Sequence, residues 1–280
     1  MMITPAAWVA IVFFTFVFGT VVGSFLNVCT FRLPRRESLV APRSHCMNCE
    51  SPIAWYDNIP IVSYFALRGR CRHCAARISP RYLLVELGTG LVFLAVLWRF
   101  KLTPALFVYC GLLAALIVVT IIDLERYIVP SPITMTGIVA GLAIAACASL
   151  SGTTGGLVVT GFGQAVLGLV VGGGLLWLVD QGAIRILGKT GMGGGDVRLL
   201  AMLGTFLGWQ QVFVTVLLAS ASGAAVGIPV VLSRRRPDAR SVSHYIPFGP
   251  FLALGGAISL FFGDILIDVW TGWMTVVPSY

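Results

Sequence analysis

Seven predominantly apolar stretches, at about 6–31, 83–98, 104–122, 131–149, 163–184, 210–232 and 248–267, reach or approach the roughly 20 residues a helix needs to cross a bilayer. This leaves few architectures open, because in lipid every backbone polar group must be bonded internally, which a helix does within one segment. A shorter apolar run, 197–208, follows Asp196. At about 1.5 Å per residue it cannot cross the full hydrocarbon core and reads as a half-helix. It is expected to turn near Gly204, Gly208, Trp209, Gln210 and Gln211 and to lie against the other helices, since irregular backbone at that depth must be shielded by protein or water.

With 58% hydrophobic and 11% charged residues and a mean hydropathy of +0.93, the chain lies far outside the soluble globular range. The expected fold is an all-α polytopic membrane protein of about eight transmembrane helices, one short, with a small zinc-ribbon-like module between helices 1 and 2. The expected divisions are a first transmembrane helix (1–31), a cytoplasmic four-cysteine module (32–82) and a transmembrane core (83–280). The first apolar run has no basic residue before it and no small-residue cleavage site before the polar loop, so it reads as a retained helix rather than a signal peptide.

Basic residues set the orientation. Arg32, Arg35, Arg36, Arg43, Arg68, Arg70, Arg72, Arg77 and Arg81 fill the first loop, Arg126 the third, Arg185, Lys189 and Arg198 the fifth, and Arg234, Arg235, Arg236 and Arg240 the seventh. Arg99 and Lys101 alone mark the other side. By the positive-inside rule both termini lie outside and the first loop is cytoplasmic. Asp123 and Asp196 then both fall at cytoplasmic helix ends. The net charge of +8 therefore points to a lipid bilayer, with no nucleic-acid partner expected, because the loop aromatics are few and not interleaved with the arginines.

Four of the seven cysteines share that first loop: Cys46 and Cys49, a 21-residue spacer, then Cys71 and Cys74. Two CxxC pairs can present four thiolates to one tetrahedral zinc. Paired disulfides are the alternative, and a reducing cytoplasm opposes them. A four-thiolate site leaves no open position for water, so the zinc is expected to be structural. His73 reads as an exposed loop residue, and Cys29, Cys110 and Cys147, in apolar segments, as small packing residues.

Asp123 closes an apolar run and Asp196 closes the string Gly191-Met192-Gly193-Gly194-Gly195-Asp196. Ionisable groups within membrane segments are costly and mark functional sites. Two carboxylates sharing one proton form the working pair of aspartic proteolysis, one acting as base on a water and the other donating to the scissile carbonyl. Gly193, Gly194 and Gly195 are expected to admit an extended peptide and to permit positive φ. Read alone, the same string is also compatible with a flexible turn and Asp196 as an N-cap. Among the other acids, Asp180 is expected to bond Arg185 within its helix or to face water, Glu125 to sit at the water interface, Glu86 to meet the dipole of its helix N-terminus, and Asp264 and Asp268 to belong to the outer end.

The chain resembles the type IV prepilin peptidases, bifunctional leader peptidases and N-methyltransferases of the GxGD aspartyl protease group. The resemblance rests on motifs in order: Gly23-Ser24-Phe25-Leu26-Asn27-Val28 with Arg32-Leu33-Pro34; the four cysteines around Asn58-Ile59-Pro60-Ile61-Val62-Ser63; Ile78-Ser79-Pro80-Arg81-Tyr82; Ile122-Asp123 with Pro130; Gly191 to Asp196; and Ile246-Pro247-Phe248-Gly249-Pro250. Departures are Arg198 where the family usually has lysine, Met47 where it usually has proline, and Glu125 where many members have aspartate.

The resemblance implies a bacterial inner-membrane enzyme that removes the leader of type IV prepilins or type II secretion pseudopilins after a glycine. It then methylates the new N-terminus from S-adenosylmethionine. Asp123 and Asp196 carry over as the protease pair, and the four cysteines as the zinc site. The donor site is not assigned by the resemblance, and Asn27, Glu86 and the cysteine module are the places to look. Two other classes remain open on residues alone: a proton-coupled transporter relaying through Asp123 and Asp180, and a membrane scaffold recruiting partners through the cysteine module.

Overall fold

The computed structural model describes residues 4–188, 191–233 and 246–276. Lys189, Arg234, Arg235, Arg236 and Arg240, which entered the orientation argument, lie outside the described residues. The chain divides into two compact units, Met1–Val118 and Val119–Tyr280.

The first unit contains α1 (Pro5–Arg32), 3₁₀ turns at Leu33–Arg35 and Trp55–Asn58, a one-turn α2 (Val62–Ala66), α3 (Pro80–Phe100) and the first part of α4 (Pro104–Arg126). Both long helices start on a hydroxyl cap followed by proline, a residue pre-shaped for the first helical position. Thr4 accepts from the Ala7 N–H and Ser79 from the Arg81 N–H. Glycines set how closely α1 and α3 approach. A Cβ on Gly23 would lie 2.7 Å from Glu86 Cα, and one on Gly19 2.8 Å from Gly90 Cα, so only bare backbone fits at this crossing. At the far end of α3, the Phe100 ring packs on Tyr109 with centroids 4.5 Å apart.

The second unit holds the rest of α4, then α5 (Ser131–Ser151), α6 (Phe162–Leu187), α7 (Gly194–Leu207), α8 (Trp209–Ser233) and α9 (Gly249–Val276). Helices α5, α6, α8 and α9 all pack on α7. Leu199, Leu200, Met202 and Leu203 consequently have no exposed surface. Gly168 of α6 and Gly204 of α7 meet backbone to backbone, leaving no room for a side chain on either. Gly208, at φ +81°, turns the chain into α8 in a conformation that disfavours any other residue. Just beyond it, Gln211 donates to Asp264 at 2.9 Å and accepts from Ser259 at 3.2 Å.

Seven helices, all but α2 and α7, are long and apolar enough to cross a membrane. At about 1.5 Å per residue, the 14 residues of α7 span about 21 Å, short of a full crossing, and its burial supplies the shielding such a helix needs. The expected count of about eight helices, one short, is therefore met. Large apolar side chains stand bare on outward faces, such as Phe13, Phe14 and Phe18 on α1 and Val170 and Trp177 on α6, as lipid solvation requires. No named strand occurs among the described residues, where two isolated bridges, His45 with Pro52 and Arg70 with Arg77, lie in the loop module.

Candidate active site and metal centre

Asp123 lies in the last turn of α4 and Asp196 in the first turn of α7, both in the second unit. They are 4% and 5% exposed. A helix N-terminus supports each carboxylate. Gly193 caps α7, and Asp196, three residues on, folds back to accept the Gly193 N–H, half of a capping-box arrangement. Gly249, the first residue of α9, donates its N–H to Asp123. The partial positive charge at a helix start favours an anion in both places. The charge of the Asp123 carboxylate also reaches Asp196.

Val129, buried just after α4, packs against both Gly195 and Gly249. A Cβ on Gly195 would lie 2.8 Å from Val129 Cβ, while one on Gly249 would collide with the Asp123 carboxylate and approach Val129 at 3.3 Å. A Cβ on Gly194 would meet nothing within 4 Å, and on Gly193 only Asp196 Oδ2 at 3.6 Å. The three glycines are therefore not equivalent. Gly195 is needed for packing, whereas Gly194 borders open space. None of Gly193, Gly194 and Gly195 has positive φ, so the expected turn conformation is replaced by a steric reason.

Asp180 departs from its expected bond to Arg185. Its Oδ1 accepts the N–H groups of Gly191 and Met192, both at 3.0 Å, and so fastens the glycine string to α6. Gly191 also approaches α6 closely, a Cβ there lying 2.6 Å from Ala183 Cβ. With its oxygen engaged in holding backbone, Asp180 is poorly suited to the proton relay of the transporter reading. Glu86 differs too: it lies two turns inside α3 instead of at its start, and accepts the Ile61 N–H at 2.8 Å. Glu125 is exposed, as expected of an interfacial residue.

In the loop module, Cys46, Cys49, Cys71 and Cys74 bring their sulfurs within 4.8 Å of one another, a set able to hold one metal ion. All four are free thiols. The two pairs are built alike. The Cys46 N–H bonds Ser51 O and the Cys71 N–H bonds Ala76 O, while Glu50 and Ala75, each directly after its pair, share a left-handed φ of 56° and 55°. One thiol of each pair favours thiolate, Cys49 and Cys71, while the Cys46 thiol, which shares hydrogen bonds with Cys71 and Cys49, is pushed up. The Ser51 hydroxyl and N–H push the Cys49 thiol down to about 6, and the N–H groups of Cys74 and His73 lower Cys71.

Several loop arginines are structural. Arg32 donates to the carbonyls of Ser38 and Pro42, Arg72 pairs with Asp57 at 2.6 Å, and Arg81 donates to Thr30 Oγ1. Gly249 and Val129 are the site residues that residue reasoning gave no role, and Asp180 was weighed as an intramembrane acid and not as the anchor of the glycine string. Gly249 carried a signal as part of the Pro-Phe-Gly-Pro string.

The fold and this pair define a polytopic helical membrane protein with two buried carboxylates at helix ends. Residues 17–100 match the family described as the bacterial peptidase A24 N-terminal domain, and residues 110–228 match the type IV leader peptidase family. Proteins named prepilin leader peptidase/N-methyltransferase are similar over most of the chain. That of Burkholderia pseudomallei is 38% identical over 275 residues, covering 89% of this chain and 85% of that protein. The Aeromonas hydrophila protein is 38% identical, covering 89% of this chain and 90% of its own length. The Myxococcus xanthus protein is 40% identical over 232 residues, or 81% of this chain and 65% of that protein. No solved structure matches the chain. The chain belongs to the type IV leader peptidase family, and it is an enzyme of the prepilin leader peptidase/N-methyltransferase kind.

Proposed function

We propose that the protein cleaves the leader from type IV prepilins or type II secretion pseudopilins after a glycine, using Asp123 and Asp196, and methylates the new N-terminus from S-adenosylmethionine. The observation that carries the peptidase reading is the pair itself: two buried carboxylates from different helices, each met by a helix N-terminus, close enough to interact. Like charges so placed favour a state with one proton between them. The ionised member takes a proton from water as that water attacks the scissile carbonyl, and the protonated member donates to the carbonyl oxygen. Collapse of the tetrahedral intermediate breaks the C–N bond, with a proton passing to the leaving amine.

The open space beside Gly194 is suited to an extended backbone, because no side chain of the described residues lies within 4 Å of a Cβ placed there. By the positive-inside argument the pair faces the cytoplasm of a bacterial inner membrane and both termini lie outside. A prepilin, with a basic leader in the cytoplasm and an apolar helix in lipid, presents its junction at that interface. When bound, S-adenosylmethionine would supply the methyl group for the freed amine, its sulfonium leaving as the neutral thioether and the amine giving up a proton to solvent.

The cysteine cluster is assigned to zinc. A tetrahedral site with Zn–S of about 2.3 Å has S···S edges of about 3.8 Å. The Cys46 and Cys74 sulfurs lie 3.8 Å apart. With four thiolates and no open position, such a metal holds the module together and does no chemistry.

Purified enzyme with a prepilin peptide provides the test. The expected product begins after the glycine, and Asp123→Asn and Asp196→Asn should each lower the cleavage rate more than about 100-fold, the scale of acid–base catalysis. Cleavage that survives both substitutions would overturn the assignment.

A further inference from the structure

Between the two cysteine pairs, the loop module of the first unit carries large apolar side chains on its surface. Trp55 is 80% exposed, Phe65 65% and Val62 59%, and Tyr56 and Ile59 are exposed as well. On α2, Ser63 is buried and the Tyr64 ring lies against Gly69, so Val62 and Phe65, three residues apart, form the outward face.

Depth decides what that face meets. At about 1.5 Å per residue, Pro80 to Arg99 of α3 covers about 28 Å, close to the roughly 30 Å thickness of a hydrocarbon core. On the same scale Glu86 lies about 9 Å in from Pro80, and Ser24 about 12 Å in from Arg32 at the end of α1. The Glu86 carboxylate receives both the Ser24 hydroxyl and the Ile61 N–H, the latter at 2.8 Å. A glutamate leaning toward its helix N-terminus would raise that contact by a few ångströms, but the bond from Ser24 holds it low. Ile61 is therefore tethered well inside the helix ends, at the level where Phe25 of α1 and Leu84 of α3 stand exposed.

The backbone of the segment is suited to that depth. Ile61, at φ 64° and ψ −53°, is the centre of a γ-turn closed by the Val62 N–H on Pro60 O at 2.6 Å. The Ile59 N–H bonds the Ser63 hydroxyl, and the Ser63 and Phe65 N–H groups bond Ile59 O and Ile61 O. Irregular backbone is tolerated beside hydrocarbon only when its polar groups are bonded within the protein.

Charge selects the kind of lipid. Residues 32–82 hold nine arginines against Glu37, Glu50 and Asp57, and Asp57 is taken by Arg72. Arg68 and Arg70, just after α2, are exposed and form no ion pair among the described residues. Arginines beside an apolar face suit anionic headgroups, and Trp and Tyr favour the same boundary. The same arginines repel the basic leader of a prepilin and a second copy of this module.

We propose that residues 55–65 dip into the bilayer and seat the cysteine module on its basic-side leaflet, with Ile59, Val62 and Phe65 among acyl chains and Arg68 and Arg70 on anionic phosphate headgroups. The proposal rests on membrane crossing by α1 and α3 and is independent of the peptidase and methyltransferase readings.

The test uses the full-length enzyme in nanodiscs of equal phosphatidylglycerol and phosphatidylcholine, each lipid in turn carrying an acyl-chain diazirine, with adducts mapped by mass spectrometry after illumination. Wild-type protein should carry adducts within residues 55–65 at a level comparable to Phe25 and Leu84. Val40, a module residue 90% exposed and without such a tether, should carry none. Within 55–65, phosphatidylglycerol adducts should exceed phosphatidylcholine adducts on the order of tenfold, and Arg68→Gln with Arg70→Gln should remove most of that preference, at about fivefold per arginine. Melting temperature checks the variant, and the mapping on wild-type enzyme does not depend on it. Labelled Phe25 and Leu84 with unlabelled 55–65, or equal labelling of Val40 and Phe65, overturns the insertion. A segment that escapes lipid but cross-links to added prepilin peptide or to a second copy overturns it in favour of a protein partner. Equal adducts from the two lipids in wild-type enzyme overturn the headgroup assignment.

Discussion

Replacing Gly195 and Gly194 by alanine, one at a time, separates a packing glycine from one that borders substrate space. At Gly195 the new Cβ would lie 2.8 Å from Val129 Cβ. Carbon atoms prefer about 3.5 to 4.0 Å, so α7 and the Val129 segment must part by roughly 1 Å. Overpacking of this kind costs about 1–3 kcal/mol. Because Asp196 is the next residue and Val129 also touches Gly249, which bonds Asp123, the shift spreads the two carboxylates. A misplacement of about 1 Å at a reacting centre can cost on the order of 100-fold in rate. At Gly194 an added Cβ meets nothing within 4 Å. Steady-state cleavage of a prepilin peptide in detergent, with melting temperature measured alongside, should therefore show kcat falling on the order of 100-fold for Gly195→Ala. Gly194→Ala should keep kcat and raise KM if the substrate backbone occupies that space. Wild-type kcat in Gly195→Ala, or an equal fall in kcat for both variants, would refute the reasoning.

Further expectations follow from single contacts. Asp180→Ala leaves the Gly191 and Met192 N–H groups without their acceptor, and kcat should fall about tenfold, the scale of losing one to two charge-assisted hydrogen bonds, while Asp180→Asn should recover much of the loss. Cys71→Ser should release the metal, read as less than about half an equivalent of zinc by elemental analysis, because structural zinc sites need all four ligands. Gly23→Ala puts a Cβ 2.7 Å from Glu86 Cα, so α1 and α3 must separate, and the melting temperature should drop by a few degrees, corresponding to about 1–3 kcal/mol. A Gly23→Ala protein with unchanged melting temperature would contradict the close crossing.

The helices were legible because a bilayer imposes length and apolarity directly on the chain, and every expected run became a helix. The half-helix was legible from its shortness and from Gly208, the one residue able to make the turn at φ +81°. The four cysteines were legible because tetrahedral ligation demands paired spacing. Asp180 was not: its partners lie 11 and 12 residues away, beyond the reach of helical periodicity, whereas Arg185 lay one turn off and looked like the natural partner. Glu86 was misplaced for a similar reason, since its bond to Ile61 spans 25 residues and depends on a γ-turn with no compositional signature. Val129 carried no signal at all, because a buried valine is ordinary until the two glycines it packs against are known.

The central claim, that Asp123 and Asp196 work as one unit, is tested most directly by a double-mutant cycle. Cleavage of a prepilin peptide is measured in Asp123→Asn, Asp196→Asn and the double variant, with zinc content and melting temperature confirming that each is folded. Groups acting as a unit are non-additive, so the double variant should be no slower than the slower single variant, each falling more than about 100-fold. Losses that multiply across the two positions, or a single variant that cleaves at the wild-type rate, would contradict the account.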